Sequence, residues 1–455
     1  MTIGQSLIIT YFVVILIIGF LKKSKSDTNS FLFAGRSLSL PALVATIVST
    51  WYGAILEVGR FTYQNGIVTW FIFSLFYYIA AIIFARFIVP KIIEINIPTL
   101  PDLFTKLYGR NAGIIALICI LFMVSPAPYL KIFSELMSFA WDIPTSYSLL
   151  IAVFLTMSYS SIGGFSSIIR TDKLQFFLMF VGFFILLISC YTSYGGIDFI
   201  TANVPSYAFS IPGNFSWTFI FAWGFIALIT IIDPGFYQRT FSGKSTKTVQ
   251  KSLYISIIFW FIFDLMTITT GLYALAILPE NTIGSPYLEL SNIALSPIVQ
   301  GIFMVSLFSI VMSTIDSYSF ISAFTVGRDI PRIVLNKDNI SVRTSINFGL
   351  IITGGIAIIM ALYFSHAVDI WYIVGSFTVP TLLIPLIFAL YSVRLHNAFL
   401  CMVLPSVIAI LWHVYGVMNS IGGYPAYLFN LDPMYPGIIS SSILCYLFSE
   451  NGTLK

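Results

Sequence analysis

Charged side chains are scarce in this chain. Asp, Glu, Lys and Arg make up 9% of its 455 residues, whereas 58% are hydrophobic and the mean hydropathy is +0.95. A soluble domain carries roughly 25% charged residues, so this composition cannot cover a water-facing surface. No polar stretch is long enough to fold as a soluble domain between the apolar segments. The composition therefore predicts one membrane domain whose main solvent is the lipid bilayer.

Residues that mark enzymes and metal sites are also few. The four cysteines lie inside apolar runs without CxxC spacing, which is typical of small buried side chains. The three histidines form no HExxH motif or cluster, and there is no GxSxG motif. These absences argue against an enzyme and against an organic cofactor. The residues concerned are Cys119, Cys190, Cys401, Cys445, His366, His396 and His413.

Thirteen apolar segments can cross a bilayer as helices, for which about 20 residues are needed, and only the last is short. They lie at 3–21, 41–63, 67–90, 111–139, 145–162, 174–194, 215–233, 252–278, 297–326, 344–365, 370–390, 397–416 and 436–449. The first segment has no basic residues before it and is followed by Lys22, Lys23 and Lys25. This order predicts a retained helix with the N-terminus outside, and not a cleaved signal peptide.

The basic residues support this topology. With the N-terminus outside, the cytoplasmic loops and the C-terminal tail hold 19 of the 22 Lys and Arg residues, and the outside loops hold none. The others, Arg60, Arg86 and Lys131, lie within spans. Cytoplasmic loops are enriched in Lys and Arg, so the distribution predicts a multi-pass protein of the plasma (cytoplasmic) membrane. It also explains the net charge of +4 without an acidic partner, and we expect no nucleic acid to bind.

Two predicted spans contain glycines near their middle. The second carries Gly53 and Gly59 beside the polar run 49–54, and the seventh carries Gly224 within 222–224. These spans are five helices apart and run in opposite directions. Such a pair is typical of inverted-repeat transporters, whose binding site lies where the helices unwind at mid-membrane. The alternative is that the glycines allow close helix packing without any break.

The ninth span carries a dense run of hydroxyl groups at 309–317. Hydroxyls in a helix often bond to their own backbone, which is one interpretation. Oxygen atoms are also the ligands that hard cations require. A hydroxyl cluster that faces an unwound helix could therefore bind Na⁺.

Five motifs occur in order between residues 31 and 330, and together they resemble the sodium:solute symporter family. This family includes proline, pantothenate, sialic acid and sugar carriers. The motifs are FLFAGRSL at 31–38, TLPDLF at 99–104 with YG at 108–109, GG at 163–164 with RTD at 170–172 and Gln175, DPGFYQR at 233–239 with KS at 244–245, and MSTIDS at 312–317 with RDI at 328–330.

The resemblance implies an all-α polytopic membrane protein with the leucine-transporter fold. In this fold, five-plus-five inverted repeats follow one extra N-terminal helix and precede two C-terminal helices. The implied division is an N-terminal helix and basic loop at 1–40, a first repeat at 41–194, a second at 195–390 and C-terminal helices at 391–455. This arrangement agrees with the thirteen predicted spans.

The resemblance also implies a sodium site between the second and ninth spans. Its hydroxyl ligands would be Ser313 and Thr314. Its carbonyl ligands would be Ser49, Tyr52 and Ile310, although these three assignments can shift by one residue. Na⁺ would be the coupling ion.

Asp172 matches a family acid on the inward route of the ion. The alternative is a carboxylate at the cytoplasmic end of its span that pairs with Arg170 or Lys173.

Charged residues within the predicted spans include Glu57, Arg60, Lys131, Glu135, Asp264 and Asp316. Each costs ~2.5–3.5 kcal/mol at a helix centre, so each should face a partner or a wet cavity. Spacings of i, i+3 for Glu57 and Arg60 and i, i+4 for Lys131 and Glu135 fit structural ion pairs. The alternative is a solute cavity with both charge signs, which would suit a zwitterion or an organic anion better than a sugar.

Seven residues are predicted to bind the solute. Their aromatic members would form apolar walls, although aromatic side chains in membrane helices also simply pack. The seven are Trp51, Glu57, Arg60, Tyr129, Lys131, Trp223 and Asp264.

The predicted function is sodium-coupled import of a small polar organic solute, an amino acid or an organic acid, by alternating access. One alternative is a proton-coupled symporter of the same fold, since Asp264, Glu57 and Asp316 could titrate. Another is a membrane sensor that does not transport. The expected partners are the small-molecule solute and the bilayer.

Overall fold

The computed structural model describes residues 2–24, 27–279, 282, 284–337, 341–363, 367–420 and 425–453. Lys25, His366 and Lys455 lie outside these ranges. The described chain is almost entirely helical. Its membrane helices, numbered in chain order, are α1 Ile3–Phe20, α2a Leu40–Ser49 with α2b Ile55–Asn65, α3 Val68–Ile95, α4a Arg110–Met123 with α4b Ala127–Trp141, α5 Thr145–Gly163, α6 Phe165–Tyr194, α7a Trp217–Ile226 with α7b Ile229–Ile232 and α7c Pro234–Ser242, α8 Thr246–Ile277, α9 Pro297–Phe324, α10 Val342–Tyr363, α11 Ala367–Leu390, α12 Ala398–Met418 and α13 Met434–Leu447.

Each of the thirteen predicted spans overlaps one of these helices. Within the described residues, eleven helical segments are long and apolar enough to cross a membrane, and α2a and α13 are shorter apolar helices. Short elements connect the spans: helices Thr28–Phe33, Leu100–Tyr108, Ile197–Asn203 and Pro286–Ala294, and an antiparallel pair of strands, β1 Val393–Leu395 and β2 Ser449–Thr453.

Helix α9 lies at the centre of the bundle. It packs against α6, α1, α10 and α4b, and nearly every residue between Phe303 and Phe324 is buried. A membrane helix that is buried on all sides is surrounded by other helices and does not face lipid. The buried hydroxyl groups of α9 therefore face other helices, and this places the 309–317 cluster in the interior.

The second span breaks at the predicted point. Helix α2a ends at Ser49, residues 50–54 form a turn, and α2b begins at Ile55. A β-carbon on Gly53 would lie 2.5 Å from Cβ of Thr314 on α9, so only glycine allows the turn to approach so closely. The break therefore packs directly against the hydroxyl-rich part of α9.

The seventh span also breaks, but the predicted position at 222–224 is wrong. Helix α7a continues through Gly224, whose small size allows the Phe76 ring to pack against it. The chain unwinds after Ile226 and again at Asp233, where Pro234 lacks an N–H group and begins α7c. The Asp233 carboxylate accepts hydrogen bonds from the amides of Gly235 (2.6 Å) and Phe236 (3.3 Å) and so caps the new helix.

Candidate ion and solute sites

The hydroxyl pair on α9 faces the break in α2. Ser313 Oγ lies within hydrogen-bond distance of Ser49 Oγ, at 2.9 Å, and Thr314 Oγ1 donates to the carbonyl of Thr50 at 2.9 Å. The Ile310 carbonyl lies 3.4 Å from Thr314 Oγ1. Ser49, Ile310, Ser313 and Thr314 are fully buried. Four of the five predicted ion ligands therefore lie together at one junction of α2 and α9.

The unwound turn supplies further oxygen atoms. Within the described chain, the carbonyls of Ser49, Trp51, Tyr52 and Gly53 accept no backbone hydrogen bond. The carbonyl that faces Thr314 belongs to Thr50, one residue from the predicted Ser49, which contributes its hydroxyl instead. Free carbonyls and hydroxyls in a dry interior are the donor set that suits a hard cation such as Na⁺.

Asp172 adds a carboxylate to this junction. It lies on α6, is fully buried, and accepts hydrogen bonds from Ser313 Oγ (2.7 Å) and from Thr46 Oγ1 on α2a. It does not pair with Arg170, which donates instead to the carbonyls of Ile18 and Gly19 at the end of α1. The alternative interpretation of Asp172, a carboxylate paired at the cytoplasmic end of its span, is therefore wrong.

A buried arginine holds the break against α9. Arg239 on α7c donates to Thr50 Oγ1 at 2.6 Å and to Ser317 Oγ at 2.9 Å. It is only 4% exposed. Sequence reasoning did not assign a site role to Arg239, Thr50 or Ser317, although Arg239 lies in the 233–239 motif and Ser317 in the 312–317 motif. Their proximity depends on helix packing, which no spacing in the sequence reveals.

A cavity of about 130 Å³ lies next to the ion junction. Trp51 and Tyr52 of the break form one side of it, so the same turn borders both sites. Tyr129 stacks on Tyr318 with ring centroids 5.4 Å apart, and Trp51 packs against Trp260 at 5.0 Å. Of the seven predicted solute contacts, Trp51, Tyr129 and Asp264 line this cavity.

Glu57, Arg60, Lys131 and Trp223 are not among the cavity-lining residues that the structure describes. Trp223 is 1% exposed and packs edge-on against Phe73. The expectation that these four side chains line the cavity is therefore corrected.

Ion pairing explains the position of Arg60. It bonds with Glu57 at 2.9 Å and also with Glu135. The expected pair of Lys131 with Glu135 is wrong, because Glu135 forms its ion pair with Arg60. Lys131 is half buried and forms no ion pair with the described residues. Arg60 thus links α2b to α4b, and the described residues that line the cavity include no Lys, Arg or His.

Asp316, a candidate for titration, lies outside the described cavity lining. Tyr159 donates to one carboxylate oxygen, and the other has no hydrogen-bond partner among the described residues. The side chain is 1% exposed. Asp316 is therefore a buried carboxylate of α9 on neither the ion junction nor the cavity wall.

Comparison with known proteins identifies the family. The model of the sodium:solute symporter family matches residues 31–404, which is most of the chain. The chain belongs to this family. The resemblance drawn from the five motifs is thereby confirmed. Members of this family cross the membrane several times, in agreement with the helices described above.

Relatives within the sodium:solute symporter family are distant. Solute carrier family 5 member 4 of Rattus norvegicus is 26% identical over 43% of this chain and 30% of its own length. The chain therefore spans less than a third of that relative. Sodium/proline symporter 2 of Staphylococcus saprophyticus is 24% identical over 73% of this chain and 69% of its own. The sodium/pantothenate symporter of Haemophilus influenzae is 25% identical over 56% of each chain.

Solved structures show the fold. A Na⁺-coupled sialic acid symporter in a substrate-bound, outward-open state superposes with a TM-score of 0.82 at 15% identity, over 100% of both chains. A nucleobase-cation-symport-1 family transporter superposes at 0.59 and 13% identity, over 92% of this chain and 94% of its own. The all-α polytopic fold of the family is therefore confirmed, and the five-plus-five inverted repeat with its domain boundaries stays a prediction.

Proposed function

We propose that this protein imports a small polar organic solute, an amino acid or an organic acid, coupled to Na⁺ entry by alternating access. The observation that carries the proposal is the junction of Ser313 and Thr314 with the broken helix α2. Na⁺ binds there between the two hydroxyls, the Ile310 carbonyl of α9 and the free carbonyls of the turn, including that of Tyr52. Asp172 lies beside it and receives the ion on its way inwards.

The turn at 50–54 supports coupling between ion and solute. Thr50 faces the hydroxyls of α9, while Trp51 and Tyr52 form the wall of the cavity. An ion that orders the turn therefore also shapes the wall that Trp51, Tyr129 and Asp264 complete. By linkage, Na⁺ should raise the affinity for the solute by the same factor as the solute raises the affinity for Na⁺.

One Na⁺ provides enough free energy for concentration of a neutral solute. Its entry down ~100 mV yields ~2.3 kcal/mol. A roughly tenfold inward gradient adds ~1.4 kcal/mol. Their sum, ~3.7 kcal/mol, supports accumulation of the solute by several hundredfold.

Uptake by proteoliposomes tests the proposal. Vesicles containing the purified protein are given a mixture of amino acids, organic acids and sugars under an inward Na⁺ gradient, an inward H⁺ gradient, or neither, and their contents are identified by mass spectrometry. We expect accumulation only with the Na⁺ gradient. Accumulation with the H⁺ gradient alone would favour the proton-coupled alternative through Asp264 or Asp316, and no accumulation under any gradient would favour a sensor.

We propose an orientation with the N-terminus outside the plasma membrane, because 19 of the 22 basic residues then lie on the cytoplasmic side. Single cysteines that replace Lys23, Lys247 and Lys337 should resist an impermeant thiol reagent in intact cells and react after permeabilisation. Cysteine at Asp198, on the opposite side in this topology and exposed, is the matched control and should react in intact cells. Labelling of any of the three lysine positions in intact cells would contradict the orientation.

A further inference from the structure

The charged residues of the central cavity are all acidic. Its described lining contains Asp233 and Asp264 and no Lys, Arg or His. The two carboxylates differ in what compensates their charge. Asp233 accepts from two helix amides and from the Tyr318 hydroxyl (2.9 Å), and the guanidinium of Arg239 lies nearby.

Asp264 has no comparable compensation. Asp264 lies on α8 and is 5% exposed. The Tyr78 hydroxyl donates a hydrogen bond to its carboxylate, and the hydroxyls of Ser74 and Tyr52 also face it. No basic side chain of the described chain lies against it. Hydroxyl groups can donate a hydrogen bond to a carboxylate, as Tyr78 does, but they supply no positive charge. A buried carboxylate without a cation is costly, so this site favours a ligand that brings one.

The walls around this carboxylate suit an organic cation. Eight of the 21 described lining residues are aromatic. Trp51 and Tyr77 pack edge-on at 5.2 Å on one wall, and Tyr129 and Trp371 lie 6.2 Å apart on another. Aromatic faces attract ammonium groups, and this attraction strengthens when water is excluded. A carboxylate and aromatic faces in one cavity therefore form a recognition site for a positive group.

We propose that the solute carries a protonated amine, which binds the Asp264 carboxylate within the aromatic cavity. This inference rests on the proposed function and narrows it. Amines and, through their ammonium group, amino acids offer Asp264 a cation, whereas sugars and organic acids without an amine leave its carboxylate unpaired. The sequence predicted a cavity lined by both positive and negative side chains, whereas the charged residues of the described lining are all negative.

Thermal-shift measurements with matched probes test the inference on the full-length protein. Each set places an ammonium, a hydroxyl or a carboxylate on one skeleton: benzylammonium, benzyl alcohol and benzoate; and 1-amino-2-propanol, 1,2-propanediol and lactate, with alanine added as the zwitterion. A bound probe raises the melting temperature according to its affinity and concentration. In Na⁺, we expect shifts from amine-bearing probes and none from the hydroxyl or carboxylate members.

The variant Asp264→Asn removes the charge and keeps the shape. It should weaken binding of the amine probes about ten- to hundredfold, as loss of a charged hydrogen bond does. Asp264→Glu retains the charge and should keep part of the affinity, which keeps the inference testable if the Asn variant folds poorly. Asp198→Asn makes the same change at an exposed site and should bind the probes like the unaltered protein.

The outcomes separate this inference from the proposed function. Shifts from the hydroxyl or carboxylate probes, unchanged amine binding in Asp264→Asn, or no probe response in a protein that responds to Na⁺ would each overturn the amine inference. Loss of the response to Na⁺ alone in both Asp264 variants would also overturn it, because the carboxylate would then belong to the ion site. Absence of any Na⁺ response in the unaltered protein, with amine binding intact, would instead overturn sodium coupling.

Discussion

Replacing Ser313 and Thr314 together with alanine should raise the Na⁺ concentration for half-maximal uptake at least about tenfold, because each hydroxyl bond near a charge contributes on the order of 1.5–3 kcal/mol. Both hydroxyls are fully buried and face the broken helix α2. The carbonyls of the turn and the Asp172 carboxylate remain, so the double change should weaken Na⁺ binding without abolishing it. The measurement is solute uptake by proteoliposomes as a function of external Na⁺.

The matched control removes one serine and one threonine hydroxyl from the same continuous helical segment, Pro297–Val334, that contains Ser313 and Thr314. Ser306 of α9 and Thr325, directly after the end of α9, are both buried. Among the described residues, their hydroxyls donate only to the carbonyls of Phe303 at 2.7 Å and Ile321 at 3.0 Å. Their double alanine variant should keep the Na⁺ dependence of the unaltered protein. If the Ser313 and Thr314 variant behaves like this control, the ion site lies elsewhere, and proton coupling through Asp264 or Asp316 becomes the better explanation.

Gly53→Ala should weaken Na⁺ binding by a similar factor, at least about tenfold, although it removes no oxygen atom. The added methyl group would lie 2.5 Å from Cβ and 2.6 Å from Oγ1 of Thr314, distances at which the backbone or α9 must shift. A shift of the turn separates Thr314 Oγ1 from the Thr50 carbonyl. The Na⁺-induced rise in melting temperature measures the change directly.

Gly355→Ala is the control for this prediction. Gly355 is an exposed residue of α10, and a methyl group there meets no atom within 4 Å. The two variants therefore make the same chemical change, one at the junction and one at the lipid-facing surface. An equal Na⁺ response from both would mean that the turn does not lie against Thr314 when the ion binds.

The helices were predictable from the sequence because a membrane helix needs an apolar run of defined length, and composition alone reveals such runs. The break at 50–54 was predictable because glycine and polar residues interrupt one run. The predicted position of the second break was wrong. Gly224 indicated a break, but its lack of a side chain instead allows Phe76 to pack against the helix, and the unwinding begins three residues later.

The local pair of Glu57 with Arg60 was predictable from its i, i+3 spacing and is observed. The partners of Glu135 and Asp172 were not predictable, because they are distant in the chain. Spacing rules propose pairs within one helix, so they paired Lys131 with Glu135. The observed partner of Glu135 is Arg60, 75 positions away. Asp172 likewise found its partners on α2a and α9, which only the packing of three helices brings together.

The placement of the turn at 50–54 also constrains how this protein can diversify. In the proposed function, one side of the turn binds the ion and the other side borders the solute, so a substitution at Trp51 or Tyr52 should affect the binding of both. The other wall, formed by Tyr129 on α4b and Trp371 on α11, borders the cavity and is not part of the turn. New solute preferences should therefore arise by substitutions on that wall, while the turn stays unchanged.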